Sequence, residues 1–182
     1  LERWHDPTGW ECGFSLWRDG QCWVRLHRLG AFVLEPGFRD VTGFLDPGVE
    51  SGRLQEVFLH LIAPWVLQRH SWECLHASAV LTRRGVVAFC GPSGRGKSTL
   101  AHAASEGGDL PYSDDALPFL VREGLVLAAR LPQRLRLREP AASWFGEPFR
   151  PEAPSAGVRE LSYQFEPSLQ PLTAIYWLER GS

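Results

Sequence analysis

Hydrophobic residues in the first fifty positions recur in short segments that are separated by turn signals. The dipeptides Asp19-Gly20, Pro36-Gly37 and Pro47-Gly48 mark these turns, since aspartate, proline and glycine favour chain reversals. The segments between the turns are rich in aromatic and branched side chains, a composition typical of strands. We therefore predict a β-rich region over residues 1–50, with strands at residues 13–17, 21–26, 31–34 and 41–45.

The period of the pattern changes in the next twenty residues. Apolar side chains now recur at spacings of three and four, which indicates an amphipathic helix over residues 51–69. We expect Ser51 to be its N-cap and Pro64 to kink its second half. The side chains that form the apolar face are Leu54, Val57, Phe58, Leu61, Ile62 and Trp65.

From residue 73 onwards, strands alternate with a few helical segments. We predict a strand over residues 73–82, a tight turn at Arg83-Arg84-Gly85 and a buried strand over 86–90. A helix over 97–105 follows and ends at Gly107-Gly108, a C-cap signal. Further strands are predicted at residues 110–115, 116–122, 125–130, 134–138 and 172–179, with a short helix over 139–144. We take 51–182 as one α/β domain, and we expect the native sequence to continue beyond Ser182 because the last strand ends so close to it.

Composition narrows the functional classes. The chain has 182 residues, 44% of them hydrophobic, and a formal charge of −2. This balance is typical of a soluble globular protein and argues against a strongly basic nucleic-acid binder. No apolar run approaches the roughly 18 residues that a membrane-spanning helix requires. We therefore expect a cytoplasmic protein that engages neither nucleic acid nor membrane.

The cysteines do not form a recognisable metal motif. Their spacing contains no C-x-x-C pair and no zinc-type arrangement with histidine. A chain of this length can build a core without disulfides. We expect buried free thiols at Cys12, Cys22, Cys74 and Cys90.

One segment matches the pattern G-x-x-x-x-G-K-[ST] without a mismatch, between the predicted buried strand and a predicted helix. Its glycines allow successive backbone N–H groups to point at phosphate oxygens, and the helix N-terminus adds its positive dipole end. Lys97, the one lysine of the chain, would contact the β- and γ-phosphates, and the Ser98 hydroxyl would ligate Mg²⁺. The predicted nucleotide-binding residues are Gly91, Pro92, Ser93, Gly94, Arg95, Gly96, Lys97, Ser98 and Thr99.

Two adjacent carboxylates follow this motif after one helix and one short strand. Asp114 and Asp115 lie 17 and 18 residues beyond Lys97, a distance that brings the chain back beside the phosphate loop. Such a pair can divide metal binding from general base catalysis. An Asp-Asp pair after a strand is also a common turn cap.

His76 is placed near the same site by hairpin geometry. If Arg83-Arg84 or Arg84-Gly85 forms a two-residue turn, His76 faces residues 91–93 at the mouth of the loop. There it could contact the γ-phosphate, the metal or the acidic pair. A core histidine that is satisfied by backbone groups is the alternative.

These residues, in this order and spacing, resemble the HPr kinase/phosphorylase family. The resemblance runs from about residue 72 to residue 119 and more weakly to residue 177. It implies a P-loop, phosphoenolpyruvate carboxykinase-like α/β fold with a mixed sheet. It also implies roles in catalysis, phosphate binding and Mg²⁺ binding for the matching residues His76, Lys97, Ser98, Asp114 and Asp115. Ser98 and Asp115 would be the metal ligands, and one of the two aspartates would accept the proton of an incoming serine hydroxyl.

The sequence departs from that family at several positions. Pro92 and Thr99 stand where the family has acidic residues, and the later Glu-Arg-Gly segment is not recognisable, Glu139 being its nearest candidate. We therefore expect kinase activity without phosphorylase activity. Divergent relatives include kinases of lasso-type peptide precursors, so a peptide serine is as credible an acceptor as HPr.

The sequence thus predicts an ATP- and Mg²⁺-dependent P-loop kinase. Its partner would be a peptide or protein with an acceptor serine, or a small hydroxyl metabolite, and a homo-oligomer stays open. The alternative is a nucleotide-binding regulator or sensor without transferase activity. A GTPase switch is disfavoured, because a guanine-reading N-K-x-D motif is absent from a chain with one lysine.

Overall fold

The computed structural model describes residues 2–5, 11–131 and 168–179. These residues form two compact units. The first contains the described residues up to Arg69, and the second contains those from His70 onwards. The predicted strand at 134–138, the predicted helix at 139–144 and Glu139 lie outside the described residues. No helix in the described ranges is long and apolar enough to cross a membrane.

The first unit contains a five-stranded antiparallel sheet whose strands follow one another in sequence order. Alternation of buried and exposed side chains along the third strand gives the sheet one core-facing side, as expected for a period of two residues. The fourth strand is buried throughout. The strands are β1 (Glu2–His5), β2 (Glu11–Leu16), β3 (Cys22–Leu26), β4 (Gly30–Leu34) and β5 (Val41–Leu45).

The helical segment that follows is irregular in its middle. It consists of α1 (Ser51–Val57), a π-helical turn (Phe58–Ile62) and α2 (Ala63–Arg69). Pro64 has no N–H to donate to the preceding turn. The π turn ends two residues before it, at Ile62, and widens the backbone there. The N-cap is Glu50, one residue earlier than predicted, and it makes no side-chain capping bond.

This helical segment packs on the N-terminal sheet and shares its core. Ile62 is fully buried among β3 and β4 residues. The rings of Phe14 and Trp65 meet edge to face with centroids 5.9 Å apart, and those of Phe32 and Phe58 lie 6.0 Å apart. The boundary between the units therefore falls between Arg69 and His70, whereas the sequence analysis placed it between residues 50 and 51. An amphipathic period shows that one helix face is buried, but not which sheet covers it.

The second unit contains a seven-stranded mixed sheet with the order β6-β10-β11-β12-β8-β7-β9. Neighbouring strands are antiparallel except for β12 and β8, which run parallel. Among the described residues of this unit, one helix, α3 (Lys97–Glu106), packs on β7, β8 and β9. The strands are β6 (Glu73–Leu75), β7 (Ala77–Thr82), β8 (Gly85–Cys90), β9 (Leu110–Ser113), β10 (Leu117–Arg122), β11 (Leu125–Ala128) and β12 (Gln170–Trp177).

The sheet of the second unit curls back towards itself at His76. The sequence predicted one strand over residues 73–82, but β6 pairs with β10 while β7 pairs with β8 and β9. Only His76 separates these two strands, although they lie near opposite ends of the strand order. The two ends of the sheet must therefore approach each other. The enclosed core includes Ala79, Val86, Ala88, Tyr112, Leu117 and Ala128.

Tyr112, on β9, links β11 to the segment just before β12. Its buried hydroxyl donates to the carbonyl oxygen of Ala128 at 2.9 Å and contacts that of Ser168 at 3.3 Å. Burial raises the pKa of the Tyr112 hydroxyl to about 12, partly offset by the Arg130 charge. The hydroxyl therefore remains a hydrogen-bond donor throughout the neutral pH range.

All four cysteines are free thiols. Cys22 and Cys90 are buried, whereas Cys12 and Cys74 are only partly buried, so the expectation of buried thiols holds for two of them. Burial raises the pKa of each thiol, and for Cys74, next to the Glu73 carboxylate, to about 11.

The shared core of the first unit can be tested by truncating Ile62. The substitution Ile62→Ala is expected to destabilise this unit by about 2–5 kcal/mol, because it leaves a cavity between the helix and the sheet. Hydrogen exchange of the β3 and β4 amides measures the effect. Arg53→Ala, on the exposed side of α1, is the control and is expected to change stability by about 0.5 kcal/mol or less. Unchanged protection of β3 and β4 in Ile62→Ala would contradict the assignment of the helix to this unit.

Candidate functional site

The glycine-rich motif lies where the sequence predicted it, between a buried strand and a helix. β8 ends at Cys90 and α3 begins at Lys97. Gly91, Gly94 and Gly96 have φ angles of 141°, 78° and 85°, values that side chains with a Cβ rarely adopt. Gly96 is the N-cap of α3. Pro92, Ser93 and Gly94 are exposed, while Arg95 and Thr99 are half-buried.

Gly91 is required by a close backbone approach as well as by its φ angle. β12 runs alongside β8, and the amide of Leu178 donates to the Cys90 carbonyl oxygen at 2.8 Å. A Cβ at Gly91 would lie 2.7 Å from the Leu178 carbonyl oxygen. The parallel strand therefore sets where the loop begins.

Lys97 lies across the base of the loop and is only 8% exposed. Its ammonium donates to the carbonyl oxygens of Gly91 at 2.9 Å and Pro92 at 3.3 Å. Burying an ammonium is costly unless its donors find partners, and these two carbonyls supply them. Lys97 also opposes the effect of burial on the Cys90 thiol, whose pKa nevertheless stays raised.

Asp114 and Ser98 are in direct contact. The Ser98 hydroxyl donates to Asp114 Oδ1 at 2.9 Å. The carboxylate follows β9, is only 6% exposed and accepts a second hydroxyl, that of Ser78, at 2.6 Å. The motif's serine and a carboxylate from a neighbouring strand are thus joined beside the glycine-rich loop.

Asp115 turns away from Asp114 and contacts His76. Its φ angle is 72°, in the left-handed region that aspartate tolerates better than most residues. The turn is held by the Ser113 hydroxyl, which donates to the Ala116 carbonyl oxygen at 2.6 Å. Because of this turn, the two consecutive carboxylates have different neighbours. Asp114 is buried against α3, while Asp115 is partly exposed beside His76.

His76 Nδ1 lies 3.0 Å from both the Asp115 carbonyl oxygen and Asp115 Oδ1. Because both oxygens only accept hydrogen bonds, Nδ1 must carry the proton. In the neutral ring, Nε2 then has a free lone pair. The Arg83-Arg84 turn pairs Thr82 with Gly85 and Ala77 with Cys90. His76 therefore lies one residue beyond the last pair, at the end of the hairpin where the glycine-rich loop begins.

The structure therefore brings most of the predicted site residues together. The contacts of the two aspartates differ from the prediction. The sequence analysis assigned Ser98 and Asp115 to the metal, whereas Asp114 is the carboxylate that contacts Ser98. Ser78 was missed altogether. The signal that could have found it is a serine within a mainly apolar strand, Ala77–Thr82.

The oxygen donors at this site fit Mg²⁺. A hydroxyl and a carboxylate are ligands that Mg²⁺ accepts, and this ion usually completes its shell with water and substrate phosphates. Among the described residues, no group of three or more histidine, cysteine, aspartate or glutamate side chains could hold a metal ion. Ser98 and Asp114 are the residues that would hold such an ion, next to the glycine-rich loop.

Comparisons with protein-family models, with curated proteins and with solved structures found no match.

The close approach at Gly91 yields a stability prediction. Gly91→Ala is expected to cost about 2 kcal/mol or more, because it adds a collision with the Leu178 carbonyl to an unfavourable φ angle. Gly94→Ala is the matched control, since a Cβ there meets no atom within 4 Å. That control is expected to cost about 1 kcal/mol from its φ angle alone. Urea unfolding compares the two, and equal losses would contradict the role of Leu178 in placing the loop.

Proposed function

We propose that this protein is an ATP- and Mg²⁺-dependent kinase that transfers the γ-phosphoryl group to a serine hydroxyl of a peptide or protein in the cytoplasm. The observation that carries the proposal is the contact between the Ser98 hydroxyl and the Asp114 carboxylate. It joins a residue of the phosphate-binding motif to an acidic residue from another strand. That pairing of serine and aspartate is what a phosphate-bound Mg²⁺ requires in P-loop enzymes.

Phosphate binding would rest on the loop and on Lys97. The ammonium already lies at the loop, and two of its three donors are used by loop carbonyls. A compact ammonium is suited to binding phosphate as a point charge. Backbone N–H groups of the glycine-rich turn and the N-terminus of α3 would add further positive potential.

Metal binding would rest on Ser98 and Asp114. The hydroxyl proton of Ser98 is directed at Asp114, which leaves the oxygen lone pairs available to a cation. When bound, Mg²⁺ neutralises charge on the phosphates and orients them for in-line transfer. Asp114 would keep Ser98 in the orientation that allows this, and it would add negative charge next to the cation.

Acceptor activation would fall to Asp115 and His76, which lie on the exposed side of the site. Both side chains are partly exposed to solvent, whereas Asp114 is only 6% exposed. Asp115 holds the Nδ1 proton of His76, so either Nε2 or the carboxylate can take the proton of the attacking hydroxyl. The phosphoryl group then forms its new bond to the acceptor oxygen as the bond to the ADP leaving group breaks.

The choice of a serine acceptor rests on the resemblance to HPr kinases. The competing function is a nucleotide-responsive regulator. One observation favours it: the described residues hold one carboxylate beside Ser98 and no larger ligand group. Phosphotransfer distinguishes the two functions, because a regulator would bind nucleotide and leave ATP intact.

Replacing Asp114 tests the metal site. Asp114→Asn keeps the shape of the side chain but removes its charge, and it is expected to lower Mg²⁺-dependent phosphotransfer by about a hundredfold or more. Asp109→Asn, in the same unit and outside the site, is the control and should transfer phosphate normally. Mass spectrometry of serine peptides after incubation with ATP measures the product. Wild-type rates in Asp114→Asn would contradict the proposal, and nucleotide binding without transfer in the parent protein would indicate the regulator.

Replacing His76 tests the acceptor side. His76→Ala is expected to lower the rate constant of phosphotransfer by about 10²–10⁴-fold through loss of proton-transfer assistance. Affinity for ATP should change little, since the loop and Lys97 remain. Single-turnover kinetics and equilibrium nucleotide binding separate these effects. A loss of affinity with an unchanged transfer rate would show that His76 binds nucleotide instead.

A further inference from the structure

Ser78 is a buried polar residue that the sequence analysis did not assign to the site. It is the second residue of β7, between Ala77 and Ala79, and its exposed fraction is 0%. A hydroxyl in such a position is unfavourable unless it finds a hydrogen-bond partner. Its partner here is the carboxylate of Asp114, at a short distance of 2.6 Å.

Three oxygen atoms form a closed triangle at this point. Ser78 Oγ and Ser98 Oγ both contact Asp114 Oδ1, at 2.6 Å and 2.9 Å, and they lie 3.2 Å from each other. The two hydroxyls have only two protons between them, so no more than two of the three contacts can be hydrogen bonds at once. Bonds to a charged acceptor are the stronger ones. Both protons therefore go to the carboxylate, and Ser78 does not occupy a lone pair of Ser98.

We infer that Ser78 is a positioning residue for the metal site: its hydroxyl fixes the Asp114 carboxylate so that Ser98 can present its oxygen to Mg²⁺. This inference rests on the proposed function and deepens it. β7 and α3 each supply one hydroxyl to the same carboxylate oxygen. The hydrogen bond from Ser78 on β7 therefore keeps Asp114 in place if the start of α3 shifts. Without the Ser78 hydroxyl, Asp114 Oδ1 loses one of these two hydrogen bonds. The Ser98 hydroxyl is then the one that remains of the pair.

The experiment measures how Mg²⁺ affects nucleotide binding in the full chain. A fluorescent ATP analogue is titrated with and without Mg²⁺ against the parent protein, Ser78→Ala, Ser78→Thr and Ser105→Ala. Ser105 donates to the Ala101 carbonyl oxygen within α3, so its removal controls for the loss of a serine hydroxyl elsewhere in the same unit. Urea unfolding establishes that each variant is folded.

Ser78→Ala is expected to raise the Mg²⁺ concentration for half-maximal binding by about ten- to a hundredfold, the effect of losing one hydrogen bond to a charged group. Affinity for the analogue without Mg²⁺ should stay within about twofold of the parent. Ser78→Thr, which keeps the hydroxyl, should restore most of the Mg²⁺ response, and Ser105→Ala should match the parent. If Ser78→Ala does not fold, Ser78→Cys takes its place, because the thiol keeps the volume and is a weak donor.

Two results would overturn this inference without contradicting the proposed function. One is an unchanged Mg²⁺ response in folded Ser78→Ala. The other is an equal loss of affinity with and without Mg²⁺, which would indicate damage to the loop instead of the metal site. If the parent protein binds no nucleotide under either condition, the proposed function itself fails, and the role of Ser78 fails with it.

Discussion

The arrangement of the candidate site depends on one buried carboxylate. Asp114 is only 6% exposed, and Oδ1 accepts hydroxyl protons from Ser78 on β7 and Ser98 on α3. Burying a carboxylate without such donors would cost several kcal/mol. These hydrogen bonds therefore hold the end of β9, the start of β7 and the start of α3 in one geometry. The glycine-rich loop joins α3 to β8, the neighbour of β7, so the same contacts restrain its position.

The curled sheet explains how residues from distant parts of the chain reach this carboxylate. His76 lies between β6 and β7, at the point where the chain passes from one part of the sheet to another. The left-handed turn at Asp115 sends the second carboxylate to that histidine. One side of the site is then buried and suited to a metal bound to phosphate. The other side is exposed, and the proposed kinase function assigns the protein acceptor to it.

Much of the local structure could be predicted from the sequence. The buried strand before the loop, the glycines with positive φ angles and the helix from Lys97 follow from apolar runs and from the residue types themselves. The register of the β7–β8 hairpin could be narrowed to two alternatives, with the turn at Arg83-Arg84 or at Arg84-Gly85. A two-residue turn fixes which residue of one strand pairs with which residue of the other. The structure has the turn at Arg83-Arg84.

Three features could not be predicted from the sequence, each for a tertiary reason. The contact between Ser78 and Asp114 depends on tertiary packing. A serine in a mainly apolar strand does not by itself indicate its hydrogen-bond partner. The division between Asp114 and Asp115 depends on a single backbone angle. The place of the helix over residues 51–69 depends on a core that it shares with the N-terminal sheet. The proposed serine acceptor rests on the resemblance and not on the fold.

The most direct test is a crystal structure with a non-hydrolysable ATP analogue and Mg²⁺. The account predicts the β- and γ-phosphates within the loop at residues 91–98 and in contact with Lys97. It also predicts the metal at about 2.0–2.1 Å from Ser98 Oγ, with Asp114 still bonded to that hydroxyl. Phosphates bound elsewhere, or an empty loop at saturating analogue, would contradict it.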